Sequence, residues 1–213
     1  FIGQGVGPLA ISGLAITFPL MNISAAFGAL VGVGCATLIS VRLGQKEYDT
    51  AFKVLGNCVM MNVLLGVTLT VLGFIYLDEI LYFFGASEQT IVYSREYMQV
   101  IVLGNVITHL YMGLNAVLRS SGHPHEAMYT TMVAVLVNVV LDPVFIYGLD
   151  MGIRGAAVAT IISQCISLLW QLKLFSNKND VIYFRRDSFK MRGRIIRDTI
   201  NIGMPQFMMN MAA

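Results

Sequence analysis

Charged side chains are scarce in this sequence. Only 12% of its 213 residues are Asp, Glu, Lys or Arg, against 56% hydrophobic, and the mean hydropathy is +0.71. Soluble domains carry roughly a quarter charged residues, so this balance excludes a soluble domain and indicates an all-α polytopic membrane protein. Cysteine is scarce too. Cys35, Cys58 and Cys165 all fall inside apolar runs, where they read as small buried hydrophobes and not as a disulfide framework, and no redox compartment follows. Gly3, Gly5 and Gly7 lack both a preceding strand and a following lysine, which removes a phosphate-binding loop. His123 and His125 flank Pro124 with no third ligand nearby, which argues against a metal centre. Nothing in the pattern or the net charge of +2 calls for nucleic acid.

The gaps between charges delimit the spans. Residues 9–41 hold no charge, and a run of about thirty residues exceeds a normal span, which predicts one tilted helix bent near Pro19 and Asn22. Gly28 and Gly32 give it a small face for close helix packing. Further apolar runs cover residues 54–77, 93–118, 127–147 and 155–172, and another starts at Ile200. Placing the connections alternately on two sides puts twelve of the 14 Lys and Arg residues on one side and only Arg95 and Arg154 on the other. Positive charge stays cytoplasmic, so residues 1–8, 78–88 and 147–153 face outward. The basic stretch 173–197 is expected to be a solvated linker, with contact to anionic lipid heads as the alternative.

Asp142 stands out against this background. A carboxylate inside the run 127–147 is costly in a bilayer and calls for a cavity or a partner. Asn138 lies four residues earlier, on the same helix face. Beyond the turn at residues 147–152, Thr160 lies about as far from the turn as Asp142 does, near 10 Å deep at about 1.5 Å rise per residue. The three could meet at one level. A carboxylate there takes up a proton or holds a cation, and the oxygens of Asn138, Asp142 and Thr160 suit sodium. The alternative is a local hydrogen bond at an Asp-Pro helix bend.

Other polar residues leave two readings open. Asn115, Asn22, Asn57 and Asn62 could line a cavity or join helices. Met61 is among the thirteen methionines, which suit an adaptable pocket or simple packing.

Several motifs occur in a set order: Val41-Arg42-Leu43-Gly44-Gln45-Lys46 after a long glycine-rich helix, Leu118-Arg119-Ser120-Ser121-Gly122, Asn138-x-x-x-Asp142-Pro143, and Gly152-x-x-Gly155-Ala156-Ala157-x-Ala159-Thr160. Together they resemble the multidrug and toxic compound extrusion (MATE) family over essentially the whole chain. The resemblance implies a twelve-helix fold of two six-helix bundles. Residues 1–175 would be the N-terminal bundle from the end of its truncated first helix to the sixth, with a remnant of that first helix at residues 1–6. Residues 176–198 would be a basic cytoplasmic linker, and 199–213 the start of helix seven. It also implies a proton or sodium site at Asn138, Asp142 and Thr160, with Tyr97 in the same network and a further acid on the first helix before Phe1.

The expected function is a multi-pass antiporter of the cytoplasmic (inner) membrane, driven by H+ or Na+ and exporting organic, often cationic, compounds. No cofactor is implied beyond the coupling ion. The partners are small organic substrates, the lipid bilayer and a C-terminal bundle of the same protein. Asn115, Asn22 and Met61 are the substrate-cavity candidates. A lipid-linked oligosaccharide flippase of the same superfamily is the alternative, but it would need cationic side chains for a diphosphate head, and the span interiors hold no Lys or Arg. An intramembrane enzyme would need a nucleophile with its base, or paired carboxylates. The spans offer one aspartate and His109, without a matching partner motif.

Overall fold

A 37-residue helix, α1 (Pro8–Gly44), runs unbroken through Pro19 and packs against most of the other helices. At about 55 Å it is longer than the hydrocarbon core of a bilayer. The computed structural model describes residue 3, residues 6–178 and residues 180–212, without the side chain of Arg186. The expected helix remnant at residues 1–6 therefore lies largely outside the described residues. After α1 come α2 (Tyr48–Ile75), α3 (Leu77–Phe83), α4 (Ile91–Leu103), α5 (Asn105–Ser120), α6 (Pro124–Pro143), α7 (Gly152–Phe175) and α8 (Gly193–Ala212). A π-helical turn (Val144–Gly148) follows α6, and a 3₁₀ turn (Arg186–Phe189) precedes α8. No strand occurs among the described residues.

Among the described residues, four helical segments are long and apolar enough to cross a membrane: Pro8–Gly44, Tyr48–Ile75, Pro124–Gly148 and Gly152–Phe175. The expected fourth span is broken. α4 and α5 meet at 57° across Gly104, where a Cβ would run into the Ile161 side chain of α7. Kinks form where a side chain inserts into the main-chain ladder, and beside this bend the Thr70 hydroxyl of α2 donates to the Val102 carbonyl at 2.7 Å. Two apolar clusters fill the bundle. One, at the end with the basic loops, joins Ile39, Leu55, Val117, Leu168 and Phe175. The other, at the opposite end, joins Leu81, Ile91, Tyr97, Ile146 and Ile153.

The acidic end after α2 is a helix and not only a loop. Leu77 and Leu81, one turn apart, bury one face of α3, while Asp78 takes a bidentate pair from Arg95 at 2.7 Å for each contact. The chain then turns at Gly85, whose φ of 96° favours a residue without a side chain.

The basic stretch also departs from a solvated linker. Ile182 and Ile195 are buried in the bundle's basic-end cluster. The Asn57 amide of α2 donates to the Lys190 carbonyl at 3.1 Å and accepts from the Arg192 amide at 2.9 Å. Arg185 pairs with Asp49 at 3.0 Å and lies over the Phe52 ring, 5.6 Å from its centre. The apolar residues interspersed among the cations supply the contact area that the charge count concealed.

The helix that follows begins at Gly193, before the apolar run at Ile200. It packs along α1, with Gly34 against the Thr199 carbonyl and Gly203 against the Leu30 carbonyl, leaving no room for a Cβ at either position. Phe27 and Phe207 meet in a tilted ring contact, their centres 5.0 Å apart, beside this seam. Gly203→Leu is expected to separate the two helices and destabilise the protein by about 1–3 kcal/mol. The readout is a lower apparent melting temperature in detergent, with Gly193→Ala, which meets nothing within 4 Å, as the control.

Candidate functional site

Pro143 has no N–H to give the Val139 carbonyl, so the regular ladder of α6 stops one residue after Asp142. The chain continues as a wider turn, with Leu149 N–H bonded to the Val144 carbonyl at 2.9 Å. Turns of this kind recur at functional sites. Asp150 and Gly152 then reverse the chain in left-handed conformations, at φ 52° and 55°. Gly155 is pressed against Phe145, where a Cβ would lie 2.8 Å from its carbonyl group. α7 therefore starts in contact with α6, and five residues later Thr160 reaches the level of Asn138.

Three polar side chains meet there. Asn138 Nδ2 donates to Asp142 Oδ1 at 3.2 Å and to Thr160 Oγ1 at 3.4 Å. The Thr160 hydroxyl donates to the Ala156 carbonyl of its own helix at 2.9 Å. All three are partly buried. Tyr97 of α4 is buried in the adjacent apolar cluster with Ile153 and Ala156, close enough to interact electrostatically with Asp142. The carboxylate, the hydroxyl and the amide form a compact oxygen-rich group. Turning the Asn138 amide over would present its oxygen, in place of its nitrogen, to a cation held between Asp142 and Thr160.

The remaining residues singled out in the sequence are dispersed. Asn22 lines a cleft of about 290 Å³ with Pro19, Ile23, Asn210 and Met211. Asn115 is buried and donates to the Ala127 carbonyl and to the hydroxyls of Thr130 and Thr131 at 2.8, 3.1 and 3.2 Å, so it joins helices. Met61 is buried in the basic-end cluster. Asn57 holds the basic stretch, and Asn62 donates to the Cys58 carbonyl of its own helix at 2.8 Å. His123 does not pair with His125 but with Asp180, at 3.1 Å.

A polar layer at mid-bundle was not foreseen. His109 is fully buried, with Nε2 3.3 Å from the Ser24 hydroxyl, which also approaches Asn105 Oδ1 at 3.4 Å. Next to it, Thr108 donates to Gln164 of α7 at 2.6 Å. The spacing of Asn105, Thr108 and His109 at i, i+3 and i+4 was a usable signal.

Apolar helices that bury their polar groups against one another define a multi-pass membrane protein. The chain belongs to the MatE family, whose model matches residues 1–144. It is 32% identical over 209 residues to the multidrug export protein MepA of Staphylococcus haemolyticus, an alignment that covers 98% of this chain and 46% of the relative. It is similar to two solved structures of multidrug resistance MATE family transporters of the MOP superfamily. The inward-facing one gives a TM-score of 0.93 and the outward-facing one 0.91, each at 28% identity over 98% of this chain, and 48% and 47% of those chains are covered. The chain thus spans about half the length of the relatives it matches.

Thr160→Val takes away the second acceptor of the Asn138 amide. The expected cost is about 1 kcal/mol, read as a lower melting temperature than that of Thr160→Ser, which keeps the hydroxyl.

Proposed function

We propose that this chain is the cation-coupling half of a multidrug exporter in the cytoplasmic (inner) membrane. The observation that carries this reading is the Asp142 carboxylate, the only charged side chain between Ala127 and Leu149, held by Asn138 beside Thr160. Entry of a proton or a sodium ion at this group neutralises the carboxylate and changes the hydrogen bonding between α6 and α7. That rearrangement favours a state from which an organic, often cationic, compound leaves on the outer side. Tyr97, packed beside the group, keeps water from its apolar flank. Likeness to both an inward-facing and an outward-facing relative supports a half that keeps its internal packing while it moves as a body.

The cleft beside Asn22 and Asn210 is the proposed place of substrate contact in this half. Its mix of methionine, proline and amide groups suits compounds of varied shape. The burial of Asn115 and Met61 favours packing roles for those two.

Efflux of a fluorescent organic cation from membrane vesicles, driven by an imposed proton or sodium gradient, tests the reading. Asp142→Asn in the whole exporter is expected to reduce gradient-driven efflux to the passive leak while insertion stays normal, and the effective gradient names the ion. Unchanged efflux would reduce Asp142 to a structural feature of the helix bend.

A further inference from the structure

A row of polar side chains leads away from Thr160 along the same face of α7. Ser163, Ser167 and Gln171 follow it at spacings of three, four and four residues, which is one stripe of a helix. Their exposures are 2%, 0% and 0%. α6 faces them with Asn138, Ala134 and Thr130, each four residues apart, and Thr130 is fully buried. The stripes touch directly where Ser167 Oγ donates to the Thr130 carbonyl at 2.8 Å and Gln171 Nε2 to Thr130 Oγ1 at 3.2 Å, while Ser163 Oγ bonds within α7 to the Thr160 carbonyl at 2.8 Å. α5 closes the third side through the bond from Asn115 to the same Thr130 hydroxyl.

Burying this many polar groups between membrane helices is expensive when apolar residues would pack as well. One of them is also unsatisfied by protein, because Gln171 Oε1 accepts no hydrogen bond although the side chain is fully buried. A buried amide oxygen in that position takes water or a cation as its partner. The stripe from Thr160 to Gln171 is about 16 Å long, roughly half the hydrocarbon thickness. It ends four residues before α7 does, at Phe175, on the side of the basic loops. Its first four-residue step, between Ser163 and Ser167, is about one turn, roughly 6 Å. Ala134 faces that step with the smallest side chain of the α6 stripe.

We infer that the α6–α7 seam is the release route by which a monovalent cation bound at Asp142 reaches the cytoplasm. The hydroxyl and amide oxygens hand on a proton or a sodium ion, with water across the step at Ala134. This rests on the coupling role proposed for Asp142. A seam that served only to hold helices together would need neither the unpartnered oxygen of Gln171 nor the small residue opposite the step from Ser163 to Ser167.

The exporter reconstituted in liposomes tests the route. Ala134→Leu fills the step without removing a polar group, and Gln171→Leu removes the innermost oxygen. Each is expected to lower turnover of gradient-driven efflux several-fold, while the outer cation concentration giving half-maximal rate stays unchanged because the Asp142 group is intact. In a protein freed of its native cysteines, Ser163→Cys is expected to react with a membrane-impermeant thiol reagent added from the cytoplasmic side. Wild-type turnover in both Leu variants overturns the route, as does labelling of Ser163→Cys from the outer side alone or from neither side. If Ala134→Leu does not fold, Gln171→Leu and the labelling decide. Efflux that survives Asp142→Asn removes the coupling role and the route with it. Efflux lost in Asp142→Asn but kept in the Leu variants removes the route alone.

Discussion

Inside a bilayer a polar side chain has no solvent to fall back on, and that single constraint organises this molecule. The buried amides and hydroxyls of the spans pair mainly on their own helix or on a neighbour, and the partners found dictate which helices touch. Thr70 meets the Val102 carbonyl beside the bend between α4 and α5. Thr108 reaches Gln164, and Ser94 donates to the Gly13 carbonyl at 2.8 Å. Apolar packing alone would let these helices slide and rotate, because lipid tails are as good a neighbour as leucine. The sparse polar contacts fix the register.

Glycine sets the distance at which those contacts can form. Gly13, Gly28, Gly66 and Gly113 each sit where a methyl group would strike the neighbouring helix. At Gly28 the atom in the way is Nδ1 of His109, so this glycine makes the seat for a buried imidazole. Close approach and polar pairing therefore depend on each other. A larger residue at such a site would lengthen several hydrogen bonds at once, and none of them could be replaced by water at that depth.

The helical membrane fold was legible because charge is excluded from long runs, a signal of one polarity over some twenty positions. The geometry around Asp142 was legible for a different reason. Asn138 lies one turn away, and a tight hairpin makes depth countable from both sides. What the sequence concealed came from contacts between distant segments. The break at Gly104 depends on Ile161, which lies far along the chain, and the covering of Asn57 by residues 190–192 depends on a stretch whose cations outnumber its apolar anchors. The α6–α7 stripe was present as a period of three and four, but serine and threonine are common enough in membrane helices that only their burial sets them apart.

The basic stretch before α8 has a mechanical consequence. Fastened to α2 through Asn57 and Asp49, and to the core through Ile182, it resists following a displacement. A displacement of α8 must therefore turn the helix itself, against the glycine contacts at Gly34 and Gly203. The segment that looks like a leash is a strap bolted along its length, and α8 is the lever arm.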